Sequence, residues 1–143
     1  MDMNGFVRRA VTAVFLMGTL AVGQSAYTPK YKGDPARSNS EAVAIAYMKT
    51  ALNAQRQHKK KKGKYASTLA GLVGHGSFTK RMVATDRGDY KVGFRGTTDG
   101  FALTMTPVLM DAEHRAFYVD QRGSIRFEED QAATATSPLV NQD

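Results

Sequence analysis

Side chains recur at helical spacing in the residues that follow position 40. Residues 41–62 contain no glycine or proline. One stripe of this segment consists of Ile45, Met48, Leu52 and Gln55, and the positions that flank it are Val43, Tyr47, Ala51 and Ala54. A stripe with this period is typical of an amphipathic helix that buries one face. The pattern therefore predicts a long helix that packs against the rest of the domain.

Residues at both ends of this segment indicate where the helix begins and ends. Ser38 and Glu41 have the spacing of a capping box, with Asn39 or Ser40 as alternative caps. Gly63 follows the last helical position, where glycine commonly ends a helix. We therefore expect the helix to run from about residue 41 to Lys62.

Downstream of residue 88 the hydrophobic period changes from helical to alternating. Apolar residues alternate with polar or small ones in residues 89–95 and 101–106, and a glycine-containing turn at 96–100 separates the two segments. A second pair of segments surrounds a turn that Asp120 opens and in which Gly123 has the place where positive φ is usual. The inward positions are Tyr90, Val92, Phe94, Phe101, Leu103, Met105, Phe117, Val119, Ile125 and Phe127. The pattern predicts two β-hairpins, each with one apolar face.

These elements predict an α+β fold in which one long N-terminal helix packs on an antiparallel sheet of about four strands. We expect this domain to cover residues 40–130. Residues 26–39 contain Pro29, Gly33 and Pro35 and predict an extended, exposed linker. Residues 131–143 have no period and predict a flexible tail.

The first 25 residues have the pattern of a secretory signal peptide. Arg8 and Arg9 precede an uncharged, mostly apolar run at 10–22, and small residues follow it. This run is shorter than the roughly 20 apolar residues that a membrane span needs. The sequence therefore predicts export, with cleavage after Gly23 or Ser25 and no stable transmembrane anchor afterwards.

Composition limits the chemistry available to the chain. Its 143 residues include 20 Lys+Arg and 13 Asp+Glu, which gives a formal net charge of +7. A basic balance of this size favours polyanionic partners, although it also promotes solubility. The chain has no cysteine, which excludes disulfides, cysteine-ligated zinc, iron–sulfur clusters and thiol catalysis.

A basic cluster occupies the predicted end of the helix. Its members are Arg56, Lys59, Lys60, Lys61, Lys62 and Lys64. Lysines in a last helical turn complement the negative end of the helix dipole, and four consecutive ones cover every azimuth. The cluster is therefore interpreted either as a solvated helix end or as a polyanion-binding site of low specificity.

The sequence contains no convergent set of catalytic or metal-binding residues. His58, His75 and His114 lack metal-ligand spacing, and Asp111 and Glu113 precede His114 in what we interpret as a surface loop. We expect no enzyme activity, no cofactor and no metal.

The order of these segments resembles the globular domain of type IV pilin-like proteins and type II secretion pseudopilins. The resemblance covers roughly residues 40–129 and rests on EAVAIAYMKTALNAQRQ, GKYASTLAGL, DYKVGF…DGFALTMTPV and RAFYVDQRGSIRFEE. The last of these is the most specific. Gly5-Phe6 also resembles a prepilin processing site, but Ala10 occupies the position of the family's glutamate.

The resemblance implies an exported, non-enzymatic structural or interaction protein of the bacterial cell envelope. Such a protein is expected in the periplasm or outside the cell, with protein partners in the envelope. The alternative is a secreted module that binds DNA or another anionic polymer through the basic cluster at 56–64.

Overall fold

The computed structural model describes residues 27–141 of the chain. The predicted signal peptide and its processing sites lie outside the described residues. Among residues 27–141, no helix combines the length and the apolar character that a membrane span needs.

The predicted helix is present as α1, which spans Asn39–Lys62. Ser38 is the N-cap, and its hydroxyl accepts a hydrogen bond from the backbone N–H of Glu41 at 3.1 Å. Gly63 ends the helix in the left-handed conformation, with φ of 72°. The helix thus begins two residues before the predicted start and ends where the sequence indicated.

One face of α1 forms much of the hydrophobic core. The predicted stripe and most of its flanking positions are buried. Val43 is the exception, because 58% of its surface is exposed. The amide of the buried Gln55 explains why a polar residue lies on this face: it donates to the carbonyl of Ala66 at 3.0 Å and accepts from the Ala66 N–H at 2.8 Å.

The segment between helix and sheet contains two short 3-10 helices, Ala70–Leu72 and Lys80–Val83. Leu72 is fully buried against the core, as is Phe78. The hydroxyl of Tyr47 on α1 donates to the carbonyl of Met82 at 2.8 Å. These contacts hold the connecting segment against the helix.

The sheet has five antiparallel strands in chain order rather than the four that the sequence predicted. The strands are β1 Asp86–Arg87, β2 Tyr90–Gly96, β3 Phe101–Pro107, β4 Ala116–Asp120 and β5 Arg126–Glu128. The additional strand is β1, which has only two residues and pairs with the start of β2. A strand of two polar residues has no alternation that the sequence pattern could reveal.

The register of the sheet places the predicted apolar residues opposite one another. Val92 lies opposite Met105, and Leu103 lies opposite Val119. The inward residues of β2, β3 and β4 are mostly buried beneath α1, whereas Phe94, Ile125 and Phe127 are partly buried at its margin. Gly123 has φ of 85° in the turn that Asp120 opens, as the sequence predicted.

The predicted linker is folded onto the domain rather than fully extended and exposed. The carboxylate of Asp34 accepts hydrogen bonds from the backbone N–H groups of Lys30 and Ala36 and from the hydroxyl of Tyr27. These bonds close a local turn, and Ala36 is buried. The same carboxylate holds the pKa of Tyr27 up at about 12.

The described part of the predicted flexible tail packs along β5. The N–H of Phe127 donates to the Pro138 carbonyl at 2.9 Å, and the N–H of Val140 donates to the Ile125 carbonyl at 2.9 Å. Ala133 and Ser137 are buried. Sequence periodicity could not indicate this packing, because the tail binds through its backbone and through small side chains.

Candidate functional site

The basic cluster lies at the C-terminal end of α1 and just beyond it. All six of its side chains are exposed: Arg56, Lys59, Lys60, Lys61, Lys62 and Lys64. Within residues 27–141, none of them has a carboxylate within ion-pairing distance. The cluster is therefore a region of uncompensated positive charge, and its four helical lysines project in different directions.

Two contacts define the geometry of the cluster. The Nζ atom of Lys59 lies 5.2 Å from the centre of the Tyr65 ring, which is a cation–π distance. The backbone N–H of Gly63 donates to the Lys59 carbonyl at 2.8 Å and satisfies one carbonyl of the last turn. The other carbonyls of the last turn carry the negative end of the helix dipole. The nearby lysine side chains supply the positive charge that compensates it.

A histidine pair lies beneath the basic cluster. His58 is buried, and its Nδ1 atom lies 2.6 Å from the Lys64 carbonyl, so Nδ1 carries the proton and donates it. Its ring centre is 5.0 Å from that of His75. Burial lowers the pKa of His75, and the nearby charges of His58, Lys61 and Lys62 lower it further. His75 is therefore neutral near pH 7 and adds no charge to the cluster.

A second polar cluster, which we call the His114 clamp, joins the β3–β4 loop to the start of α1. His114 Nδ1 lies 2.7 Å from Asp111 Oδ1, and His114 Nε2 lies 3.1 Å from Asp89 Oδ2. Asp89 Oδ2 also accepts a hydrogen bond from the Ser40 hydroxyl at 2.5 Å. Asp111 and His114 were expected in a loop, but the participation of Asp89 and Ser40 was not predicted.

The geometry of the His114 clamp favours a charged imidazole. Partial burial opposes protonation, but the hydrogen bonds to Asp111 and Asp89 outweigh it and raise the pKa of His114. An imidazolium donates from both nitrogens, so it satisfies both carboxylates at once. Ser40 donates to Asp89 and not to His114, which differs from the nucleophile–base pairing that hydroxyl activation requires. The clamp is therefore suited to holding the loop in place.

A groove with a volume of about 490 Å³ lies beside this clamp, between the first half of α1 and the segment that leads into β2. We call it the α1–β1 groove. Val43 and Ala84 are its exposed apolar residues, whereas Ala44 and Met105 are buried. Arg81 and Arg87 line it together with Asp86 and Asp89. The Arg87 guanidinium carbon lies 4.4 Å from the centre of the Tyr47 ring. The groove thus combines a small exposed aliphatic surface with two arginines and two aspartates.

Within residues 27–141, no cluster of three or more histidine, aspartate or glutamate side chains has an arrangement that could hold a metal ion, and this includes the His114 clamp. Scans of the chain against protein-family models, curated proteins and solved structures gave no match.

Proposed function

We propose that this chain is an exported, non-enzymatic, pilin-like structural or interaction module of the bacterial cell envelope. The observation that supports it is the arrangement of α1 across an antiparallel sheet whose strands follow in chain order. The segments that resemble pilin-like proteins coincide with α1, the connector after Gly63, and the hairpins β2–β3 and β4–β5. The apolar run at 10–22 supports export.

The polar clusters support a structural role rather than catalysis. In the His114 clamp, each ring nitrogen faces a carboxylate of the same chain, and the Ser40 hydroxyl is directed at Asp89. A general base needs a free nitrogen within reach of a substrate proton. His114 has both nitrogens engaged, so the clamp fits a structural role in the proposed module.

The N-terminus of the protein in its native host tests this proposal. The protein is purified from envelope and cytoplasmic fractions, and its first residue is determined by mass spectrometry. We expect a chain in the envelope fraction that starts near Gln24 or Ala26, which indicates signal-peptide cleavage. A start at Phe6 would indicate prepilin-type processing and would also support the proposal.

The result that overturns the proposal is an uncleaved chain that is confined to the cytoplasm. A reporter that is active only after export, fused to residues 1–40, serves as an independent check. The matched control is the same fusion with Leu16 and Leu20 changed to arginine, which interrupts the apolar run and should retain the reporter in the cytoplasm.

The uncompensated charge of the basic cluster supports a second candidate function, the binding of anionic polymers. Lysine side chains that displace the counterions condensed on a polyanion bind it with an affinity that falls steeply as salt rises. The slope of log K against log salt is about −0.9 for each phosphate contacted in duplex DNA. We expect a variant with glutamine at positions 59–62 to lose both the affinity and most of the salt dependence.

The matched control removes the same charge from elsewhere. The lysines in this control variant are Lys30, Lys32, Lys80 and Lys91, all of which are exposed. Equal losses in the two variants would show that net charge, and not the basic cluster, attracts the polymer. Binding of duplex DNA that does not vary with salt would overturn this candidate.

A further inference from the structure

The connecting segment after α1 brings His75 back beside His58. His58 lies near the end of α1, and His75 lies between the two 3-10 helices. Their ring centres are 5.0 Å apart, and the ring planes are inclined by 59°. The separation of the two residues along the chain matches no metal-ligand spacing, so the fold alone places the two imidazoles side by side.

The contacts of His58 leave one of its ring nitrogens available to a ligand. His58 is buried, and its Nδ1–H donates to the Lys64 carbonyl at 2.6 Å. A neutral imidazole that carries its proton on Nδ1 has its lone pair on Nε2. Histidines that bind metals almost always donate their other ring N–H to a carbonyl or a carboxylate, which fixes the orientation of the ring. The Lys64 carbonyl makes this contact with His58.

His75 has a buried ring nitrogen without a partner. Within residues 27–141, its Nδ1 atom is buried and makes no hydrogen bond. A buried polar atom of this kind is costly, and a bound ion is one of the ways in which a native protein satisfies it.

The backbone around His75 is ordered by hydrogen bonds. The N–H of His75 donates to the Leu72 carbonyl at 3.0 Å, and its carbonyl accepts from the N–H of Phe78 at 3.2 Å. The N–H of Gly76 donates to Gln57 Oε1 on α1 at 2.9 Å. These bonds hold the loop against the helix, so the position of His75 relative to His58 is set before any ligand binds.

The separation of the two rings fits one shared metal ion. Imidazole nitrogens bind Zn²⁺ at about 2.0–2.1 Å, so each ring centre lies about 3.2 Å from the ion. Two imidazoles at a tetrahedral angle on one ion therefore have ring centres about 5 Å apart. The observed separation of 5.0 Å agrees with this geometry.

The lysines near the pair limit the kind of ion that can bind. Burial, together with the charges of His58, Lys61 and Lys62, lowers the pKa of His75, and these lysines also repel a cation. The favourable free energy must therefore come from metal–nitrogen bonds, which among first-row divalent ions are strongest for Cu²⁺. Ca²⁺ and Mg²⁺ prefer oxygen ligands and do not fit the pair.

We propose that His58 and His75 form a two-histidine site for a divalent transition-metal ion, with Cu²⁺ bound more tightly than Zn²⁺. No third histidine or carboxylate of residues 27–141 joins the pair. The remaining coordination positions are therefore open to water or to an anionic oxygen, such as that of a carboxylate or phosphate drawn to the basic cluster.

Titration of the full, untagged chain with copper(II) chloride tests the proposal. The chain is purified in the form that the cell accumulates and is treated with a chelator, and calorimetry in a weakly coordinating buffer measures the affinity. We expect one Cu²⁺ per chain, with two imidazole nitrogens detected by electron paramagnetic resonance. His75→Gln should weaken binding roughly tenfold or more, because it removes one of the two nitrogen ligands.

The third histidine provides the matched control. Both ring nitrogens of His114 are engaged by carboxylates, so His114→Gln should leave the affinity for Cu²⁺ unchanged. Nitrogen NMR of the wild-type chain with Zn²⁺ gives the same information without a substitution. The imidazole signals of His58 and His75 should shift, and those of His114 should not.

The dependence on salt separates this site from anion binding by the basic cluster. Salt screens the repulsion between a cation and exposed lysines, so the affinity for Cu²⁺ should rise with sodium perchlorate. The double variant Lys61→Gln with Lys62→Gln should also bind Cu²⁺ more tightly than the wild type. Binding of a polyanion has the opposite dependence, because its affinity falls as salt rises.

Three outcomes would overturn the proposal. The first is a wild-type chain without saturable Cu²⁺ binding. The second is binding that His75→Gln leaves unchanged or that His114→Gln abolishes. The third is an affinity for Cu²⁺ that falls with salt, which would assign the ion to an acidic site elsewhere. Circular dichroism of each variant separates loss of a ligand from loss of folding.

Discussion

Glu41 and Arg115 form a buried ion pair that joins the first turn of α1 to the start of β4. Glu41 Oε1 lies 2.7 Å from Arg115 Nη2, and their side chains are 0% and 4% exposed. The same carboxylate accepts hydrogen bonds from the backbone N–H groups of Arg115 at 2.9 Å and Arg37 at 3.0 Å. Arg115 Nη2 also donates to the Pro35 carbonyl at 2.8 Å. One pair thus connects the linker, the helix and the sheet.

Removal of either partner should strongly destabilise the protein. Glu41→Gln or Arg115→Met leaves the other charge buried and unpaired, which costs about 3–5 kcal/mol. Urea denaturation followed by circular dichroism measures the loss. The double variant Glu41→Gln with Arg115→Met should lose less than the sum of the single losses, because it leaves no unpaired charge.

An exposed ion pair is the matched control for this prediction. Arg37 Nη1 lies 2.6 Å from Glu129 Oε1, and both side chains are largely exposed. Glu129→Gln should therefore cost less than about 1 kcal/mol. A loss at Glu41 no larger than that at Glu129 would contradict the role given to the buried pair.

The features that the sequence predicted are the ones that neighbouring residues determine. The Ser38 cap, the Gly63 stop and the alternation of Tyr90 and Val92 each depend on a few positions along the chain, and the structure confirms them. Ser38 does cap Glu41, but the Glu41 carboxylate is drawn to Arg115 instead of completing a simple capping box. That choice could not be predicted, because the two residues are far apart in the sequence.

In the candidate sites, too, neighbouring residues determine the features that the sequence predicted, and the tertiary fold determines the rest. The exposure of the basic cluster follows from its place at a helix end, and the structure has it there. The His114 clamp needs Asp89 and Ser40, which only the fold of the sheet against α1 brings to Asp111 and His114. No local pattern marks such a cluster, and a search for histidines near acidic residues would have found only its Asp111 side.

The His114 clamp should make stability depend on pH in two directions. The pKa of His114 is raised above its ordinary 6.5, so its contribution is full below about 6.5 and is lost as pH rises through the raised value. Hydrogen bonds from Ser40 and His114 lower the pKa of Asp89, and the bond to His114 lowers that of Asp111. Their contribution is present above about 3.8 and is lost as pH falls through the lowered values.

We therefore expect the clamp to contribute most between about pH 4 and pH 6.5. Denaturation midpoints measured from pH 3 to pH 9 test this, and His114→Gln should remove the fall on the alkaline side. His75→Gln is the control, because the lowered pKa of His75 gives the opposite sign: its contribution is lost as pH falls. An alkaline fall that persists unchanged in His114→Gln would contradict the assignment.

Gly96 and Gly93 lie on the same strand but should respond differently to alanine. A Cβ atom at Gly96 would lie 2.6 Å from Ser67 Cα and 2.8 Å from the Ser67 carbonyl oxygen, which are backbone atoms and cannot move aside cheaply. A Cβ atom at Gly93 would meet the Thr104 hydroxyl at 2.4 Å, and that group can rotate away. Gly96→Ala should therefore cost about 1–3 kcal/mol, the range for overpacking, and Gly93→Ala clearly less. Thermal denaturation of the two variants tests this order, and equal losses would contradict the close approach at Ser67.

The packing of the C-terminal segment on β5 predicts that its removal destabilises the sheet. A chain that ends at Asp130 loses the backbone bonds from Phe127 to Pro138 and from Val140 to Ile125. Two such bonds contribute about 1–3 kcal/mol together, and β5 becomes an unpaired edge that promotes aggregation. The free energy of unfolding and light scattering measure the two effects.

A chain that ends at Asn141 is the control for this truncation, because it keeps both backbone bonds. It should unfold at the same urea concentration as the full chain and remain free of aggregates. If the chain that ends at Asp130 behaved identically to it, the C-terminal segment would contribute nothing to the sheet. We expect the two chains to differ in stability because β5 has only three residues and few contacts of its own. The backbone bonds to Pro138 and from Val140 therefore make up a large part of the interactions that hold β5 in place.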